Sequence, residues 1–388
     1  MPSPNSGAKL IHDLAVELQR LGHETIVVAP DETISKDSHI SHENGVTVLR
    51  IRSGKIKTAT RVIRAFNEIR LSATIWKRAK HFFKENPCDL IICYSPTIFF
   101  ATLVKKLKKI YSCPSYLILR DIFPQWTVDT GVMRRGLIYH YFKLKERQNY
   151  EAADIIGVQS PTNLRYFEEN WYDKKYKLEV LYNWTDLATD NIQPGNHRER
   201  LGLQNKVVFF YGGNIGVAQD MDNILRLAQN LRNDEYVFFL MVGDGSEALR
   251  LKRDIAARGL TNIAIHDAVD QQEYLAMLAE FDIGLISLDR SLRTQNFPGK
   301  MLGYMLHSLP ILASINPGND LKEMLEENKA GLVSINGEDE VLAANARRLL
   351  EDKNLRRQLG QNARALLEKT FSVSTAARQI LAHLNPGL

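Results

Sequence analysis

Lys300 closes a polar loop, Thr294-Gln295-Asn296-Phe297-Pro298-Gly299. Met301–Met305 and the apolar run Pro310–Ala313 follow it. Proline is tolerated in the first turn of a helix, so a helix is expected to open near Pro298 and lead into a buried strand. Free backbone N–H groups at such an end, with the Lys300 ammonium beside them, suit an anion or a ligand rich in hydroxyls. A second loop, Tyr211-Gly212-Gly213-Asn214-Ile215-Gly216, turns from a strand into a helix. Glycines there let backbone approach a phosphate, although many such loops are only tight turns. A third, Arg120-Asp121-Ile122-Phe123-Pro124-Gln125, closes a strand with a carboxylate able to take a proton from a hydroxyl. Its plain alternative is an Arg120–Asp121 pair that only fixes the loop. Asp220-Met221-Asp222 has the look of a cation site, but acids at a helix start cap N–H groups, and a hard cation wants several converging oxygens. No metal or cofactor is expected.

These loops need strands and helices to hold them. Leu10, Leu14, Leu18 and Leu21 recur on one helical face. Strand-like runs follow at Thr25–Ala29, Val46–Ile51, Leu90–Cys93, Tyr116–Leu119 and Ile155–Val158, with helical stretches between most of them. A second alternation starts at Val207–Tyr211. It continues through Val237–Val242, Ile263–Ile265, Ile283–Leu288, Pro310–Ala313 and Gly331–Val333. Alternating strand and helix argue for an α/β chain of two doubly wound, Rossmann-like domains. The boundaries read as 1–185, 186–370 and a final helix over 371–388. The glycine loop Met1–Gly7 is placed as though a strand preceded it, so a start upstream of Met1 is expected.

The 388 residues carry a net charge of +5, unevenly spread. Residues 51–150 hold 20 Lys/Arg against 6 Asp/Glu. Arg61, Arg64, Arg70, Lys77, Arg78, Lys80 and Lys84 interleave with Phe66, Ile69, Trp76 and Phe82. Such a stretch either lies on an anionic membrane surface or is a solvated face with its apolar side in the core. No recognition motif for nucleic acid accompanies the charge. Cys88, Cys93 and Cys113 have no metal-ligand spacing and read as reduced, buried thiols. No secretory signal and no apolar run long enough to span a bilayer is present in the sequence, so a cytoplasmic chain is expected.

The loop at Phe297-Pro298-Gly299-Lys300 with Tyr304-Met305 resembles glycosyltransferase family 4, and within it the branch of WbuB-type fucosaminyl transferases of O-antigen synthesis. The resemblance covers nearly all of the chain. It implies the GT-B fold, two Rossmann-like domains facing a cleft with the last helix packing back on the first domain. It also implies a retaining sugar transfer from a nucleotide-sugar donor, UDP-linked, to a polyprenyl-diphosphate-linked acceptor at the cytoplasmic face of the inner membrane. N-acetyl-L-fucosamine or a related amino sugar is the implied donor sugar. Gly213, Asn214 and Lys300 would steady the diphosphate, Gly299 would lie beside them, and Gln295, Asn296 and Phe297 would hold the sugar. Gly7 and Asp121 would sit on the acceptor side. Gln295 and Gly303 stand where the family's Glu-x7-Glu motif has carboxylates, and Gly303 cannot hydrogen-bond a ribose. Three alternatives remain. A GT-B epimerase would need more cleft carboxylates than Asp121. A nicotinamide oxidoreductase would need a ribose acid that neither glycine loop has. A non-catalytic partner would not be expected to keep Lys300 and the glycine loop.

Overall fold

The structure, a computed structural model, describes residues 6–55, 61–95, 97–129, 133–188, 195–292 and 297–384. The chain divides into two compact units, Met1–Asp186 with Val373–Leu388, and Leu187–Ser372.

The first unit holds two sheets. In one, β1 (Ile26–Asp31), β2 (Ser38–Glu43) and β3 (Val46–Arg52) lie in the order β1-β3-β2. β1 and β3 run parallel, and β2 is antiparallel to β3. Apolar periodicity names no strand over β2, whose residues Ser-His-Ile-Ser-His-Glu are mostly polar. A two-residue Asn44-Gly45 turn makes it, with φ of 51° and 81° at the two positions. That is the turn whose twist matches a hairpin. The other sheet is parallel throughout, with β4 (Ile91–Ser95), β5 (Ser115–Leu119), β6 (Ile155–Val158) and β7 (Leu178–Val180) side by side. β5 is buried along its whole length, as its unbroken apolar run requires of a strand covered on both faces.

Helices α1 (Ser6–Arg20), α2 (Arg61–Glu85), α3 (Ala101–Tyr111), α4 (Gln125–Asp129), α5 (Leu137–Ala152) and α6 (Pro161–Asn170) belong to this unit. Leu71, Ile75, Ala79 and Phe83 of α2 share one core with Leu49 and Ile51 of the first sheet and Ile91 of the second. The basic helix therefore does bury an apolar side, while Ile63, Phe66 and Ile69 stay exposed.

The second unit carries a six-stranded parallel sheet. Its strands are β8 (Val207–Gly212), β9 (Val237–Val242), β10 (Ile263–His266), β11 (Ile283–Ser287), β12 (Ile311–Ile315) and β13 (Gly331–Ile335). The spatial order is β10-β9-β8-β11-β12-β13, the 3-2-1-4-5-6 order of a doubly wound nucleotide-binding sheet. Around it lie α7 (His197–Arg200), α8 (Met221–Asn230), α9 (Ala248–Ala257), α10 (Gln271–Leu278), α11 (Lys300–Leu306), α12 (Leu321–Glu327), α13 (Asp339–Glu351) and α14 (Lys353–Thr370).

The last helix, α15 (Val373–Leu381), belongs to the first unit, as expected for the returning helix. Val373, Ala377 and Ile380 share a core with Leu14 and Leu18 of α1 and with Trp184. Trp184 donates its indole N–H to the Leu10 carbonyl at 2.9 Å. Gln379 donates to the Val180 carbonyl at 2.8 Å. Among the described residues, no helix is long and apolar enough to cross a membrane.

Candidate functional site

In a sheet of this order, ligands bind where the strand sequence reverses, at the carboxyl ends of the two central strands. Here those are β8 and β11. The chain leaving β8 is the Gly212-Gly213 loop, and the chain after β11 runs on to Lys300.

Lys300 and Gly213 meet there. A Cβ built on Gly213 would lie 3.6 Å from Lys300 Cε and 3.7 Å from its Nζ. The ammonium sits 3.3 Å from the centre of the Tyr211 ring, a cation–π contact. No carboxylate pairs with Lys300 among the described residues. Burial pushes its pKa well below the ordinary lysine value. Gly213 itself has φ of 123°, which favours glycine.

The loop is locked to its neighbour backbone to backbone. Gly213 N–H donates to the Val242 carbonyl at 2.9 Å, and Ile215 N–H to the Asp244 carbonyl at 2.9 Å. A Cβ on Gly243 would lie 1.9 Å from the Gly213 carbonyl oxygen, and one on Gly245 2.3 Å from that of Ile215. Both glycines are thus required by close approach. Tyr304 ties the two central strands, accepting from Gly212 N–H at 3.2 Å and donating to the Leu285 carbonyl at 3.1 Å.

The other residues expected on the donor side fall out differently. Asn214 is exposed, and its side-chain amide donates to Gln219 Oε1 at 2.9 Å, bracing the turn. Gly299 faces open space with φ outside the left-handed region, so its backbone does not demand glycine. Pro298 precedes α11 rather than standing in its first turn, and its carbonyl accepts from Met301 N–H at 3.0 Å. The Phe297 ring, expected beside the sugar, is turned into the protein. It is 4% exposed and packs edge-on against Phe371, because an aromatic side chain gains more from this apolar contact than from solvent. Gln295 and Asn296 lie outside the described residues.

Gly303 has a local reason. A Cβ there would meet Leu278 at 3.0 Å and the Tyr274 ring and hydroxyl at 3.4 Å. Tyr274 of α10 fills the space that a side chain at 303 would enter. The sequence holds no sign of this, because the partner is a tyrosine 29 positions away. His307 is half-buried and pushed down to about 4, first by burial and then by Arg364, so its imidazole is neutral. In the Asp220-Met221-Asp222 stretch the two acids part company. Asp222 takes Arg250 through both oxygens at 3.1 and 2.8 Å, and Asp220 accepts from Asn336 at 2.9 Å.

In the first unit, the carboxyl ends of β4 and β5 bring Gly7 and the Asp121 loop to one residue, Tyr94. A Cβ on Gly7 would lie 2.8 Å from the Tyr94 hydroxyl. Arg120 and Asp121 both act on the Tyr94 hydroxyl through their charges. Tyr94 is the next-to-last residue of the partly buried β4, and nothing in its sequence context sets it apart from a core tyrosine. Among the described residues Arg120 makes no ion pair with Asp121, the pairing that the plain alternative required. It turns back to donate to the Leu181 and Tyr182 carbonyls at 2.8 and 3.2 Å and stacks 5.2 Å from the Trp184 ring. Asp121 is left at the surface. Its carboxyl is raised by the protein around it, against the lowering charge of Arg120. The basic stretch contributes a cavity of about 290 Å³ at the end of β3, lined by Arg52, Ser53, Asn67, Arg70, Thr74 and Arg78.

Two family models match the chain. Glycosyltransferase Family 4 covers residues 7–189. Glycosyl transferases group 1 covers residues 195–366. The chain is 24% identical over 219 residues to the probable glycosyltransferase WbjE of Pseudomonas aeruginosa, covering 55% of this chain and 54% of that one. It is 24% identical over 306 residues to the putative colanic acid biosynthesis glycosyl transferase WcaI of Escherichia coli, covering 76% and 73%. Among solved structures, Anabaena HepE in complex with UDP matches with a TM-score of 0.69 and 18% identity, over 99% of this chain and 97% of that one. WaaG, a glycosyltransferase involved in lipopolysaccharide biosynthesis, matches with a TM-score of 0.68 and 14% identity, over 99% and 97%. With the two parallel-sheet units described above, these matches identify the chain as a glycosyltransferase of the GT-B fold, a family 4 domain followed by a group 1 domain.

Proposed function

We propose that the chain moves a sugar, with retention, from a UDP-linked donor to a lipid-linked oligosaccharide in surface-polysaccharide synthesis. N-acetyl-L-fucosamine or a related amino sugar is the proposed donor sugar, and the membrane face the place of work. The observation that carries the donor half is Lys300, held against Gly213 at the switch point of the six-stranded sheet with no carboxylate among the described residues to neutralise it. A diphosphate set there would meet one full charge and the backbone of the Gly212–Asn214 loop. Negative charge gathers on the leaving diphosphate as the glycosidic bond breaks, so this cation would stabilise the transition state more than the bound donor. Asp121, with a raised carboxyl at the end of β5, is the proposed base or orienting group for the acceptor hydroxyl. The arginine-lined cavity beyond β3 would receive an anionic part of the acceptor.

The reading draws support from relatives whose names give colanic acid and lipopolysaccharide synthesis, and from a fold neighbour solved with UDP. Its test is a thermal-shift screen of nucleoside diphosphates and their sugars. A ligand that binds only the native state raises the midpoint by mass action. UDP and a UDP-sugar should raise it. A flat response to every uridine compound, with a shift from another base, would overturn the uridine assignment.

A further inference from the structure

Helix α5 buries Tyr139, Glu146, Asn149 and Tyr150. Its opposite face is apolar as well. Leu137 is 90% exposed, Ile138 66%, Leu144 50% and Tyr141 38%. Leu137, Tyr141 and Leu144 stand at helical spacing on one stripe, with Ile138 at its margin. A soluble protein scatters single exposed apolar side chains, but a continuous stripe marks an interaction surface.

The charges around the stripe say what it meets. Arg134 and Arg135 lie exposed just before the helix, and His140 is exposed on it. Lys145 lies 5.6 Å over the Tyr141 ring. Between Asp129 and Glu146 the sequence has no acid at all. Glu146 faces inward, fully buried, where Lys143 pairs with it at 2.6 Å and Tyr150 donates to it at 2.9 Å. The outer face therefore presents leucine, isoleucine and tyrosine with Arg134, Arg135 and Lys145 beside them, and its one exposed acid, Glu151 at the far end of the helix, is paired with Arg147 at 2.9 Å. Protein interfaces deplete lysine, whereas a helix lying in a bilayer surface combines an apolar stripe with flanking basic residues.

We infer that the exposed stripe of α5 docks the first unit onto an anionic bilayer surface, with Leu137, Ile138, Tyr141 and Leu144 among the acyl chains and Arg134, Arg135 and Lys145 on the headgroups. The inference rests on the proposed function for its purpose, since a lipid-linked acceptor is presented at such a surface. Docking itself requires neither donor nor acceptor.

The test is vesicle flotation of the whole chain. One set of vesicles mixes phosphatidylglycerol with phosphatidylcholine, and the other is phosphatidylcholine alone. The wild type should float with the anionic set, less so as salt rises. Leu137→Glu with Leu144→Glu should lower bound protein at least about tenfold, and Arg134→Ala with Arg135→Ala should lower it less. Ile63→Glu with Phe66→Glu, on the exposed part of α2, should leave most binding intact. All these sites are exposed, so each variant should melt like the wild type and keep its thermal shift with UDP. That second readout separates loss of docking from failure of the donor-site reading. Binding unchanged in Leu137→Glu with Leu144→Glu, or no flotation of the wild type, would overturn the inference. So would a wild-type dimer that this variant dissociates, because the stripe would then be a contact between copies.

Discussion

The Lys300 ammonium rests 3.3 Å from the centre of the Tyr211 ring and beside Gly213, where an added Cβ would lie 3.7 Å from it. Burial destabilises its charged form, and the ring face returns part of that cost. A cation held this way is poised for an anion that brings its own charge.

Proton linkage follows from that geometry. In the free protein the Lys300 pKa is lowered, and a bound diphosphate favours the ammonium. UDP binding should therefore take up protons, and affinity should fall as pH rises through the free lysine's pKa. Calorimetry in two buffers of different ionisation enthalpy reads the uptake directly. Equal heats in both buffers across that range would leave Lys300 no part in it.

The glycines at the paired loops should rank by what a methyl group would strike. Gly213→Ala forces a left-handed residue but meets Lys300 only at ordinary contact, so it should destabilise by about 1–2 kcal/mol. Gly243→Ala would strike the Gly213 carbonyl itself, and should destabilise more and weaken UDP binding by displacing that loop. Urea titrations of the two variants test the order.

Gly303→Glu should not recover a ribose contact. Tyr274 and Leu278 occupy the space, so the change should overpack the site and destabilise by about 1–3 kcal/mol. Adding Tyr274→Ala should return part of the loss. A Gly303→Glu protein that melts like the wild type and binds UDP more tightly would contradict this packing.

Asp121 sets the acid side of the rate profile if it takes the acceptor proton. Its raised carboxyl must be ionised to act, so turnover should fall with falling pH, beginning above the free aspartate value of about 4. Asp121→Asn should lower kcat by about 10²–10⁴ and remove that limb while the melting curve holds. An unchanged limb would assign it to another group.

Much of this arrangement was legible in the residues. The unbroken apolar runs of β5, β8 and β9 announce strands of a covered parallel sheet, and the glycine loop with Lys300 marks the point where the second sheet reverses. What escaped depends on partners distant in sequence or on turn chemistry. β2 is polar and is betrayed only by Asn44-Gly45. Phe297 sits in a loop that offers polar neighbours, yet Phe371 draws its ring into the core. Tyr94 gains its place from Gly7 and Asp121, and Gly303 from Tyr274, none of which spacing reveals. The α5 stripe keeps helical periodicity, but only the fold shows that the side away from Tyr139 and Tyr150 is left uncovered.

The donor site rests on one residue, and one titration tests it. UDP added to the wild type and to Lys300→Ala, each well folded by its melting curve, should give affinities that differ by about 2 kcal/mol, the worth of a charged hydrogen bond to phosphate. The alanine variant should melt no lower, since it removes a buried ammonium that has no carboxylate partner among the described residues. Equal affinities for UDP in the two proteins would contradict the account at its centre.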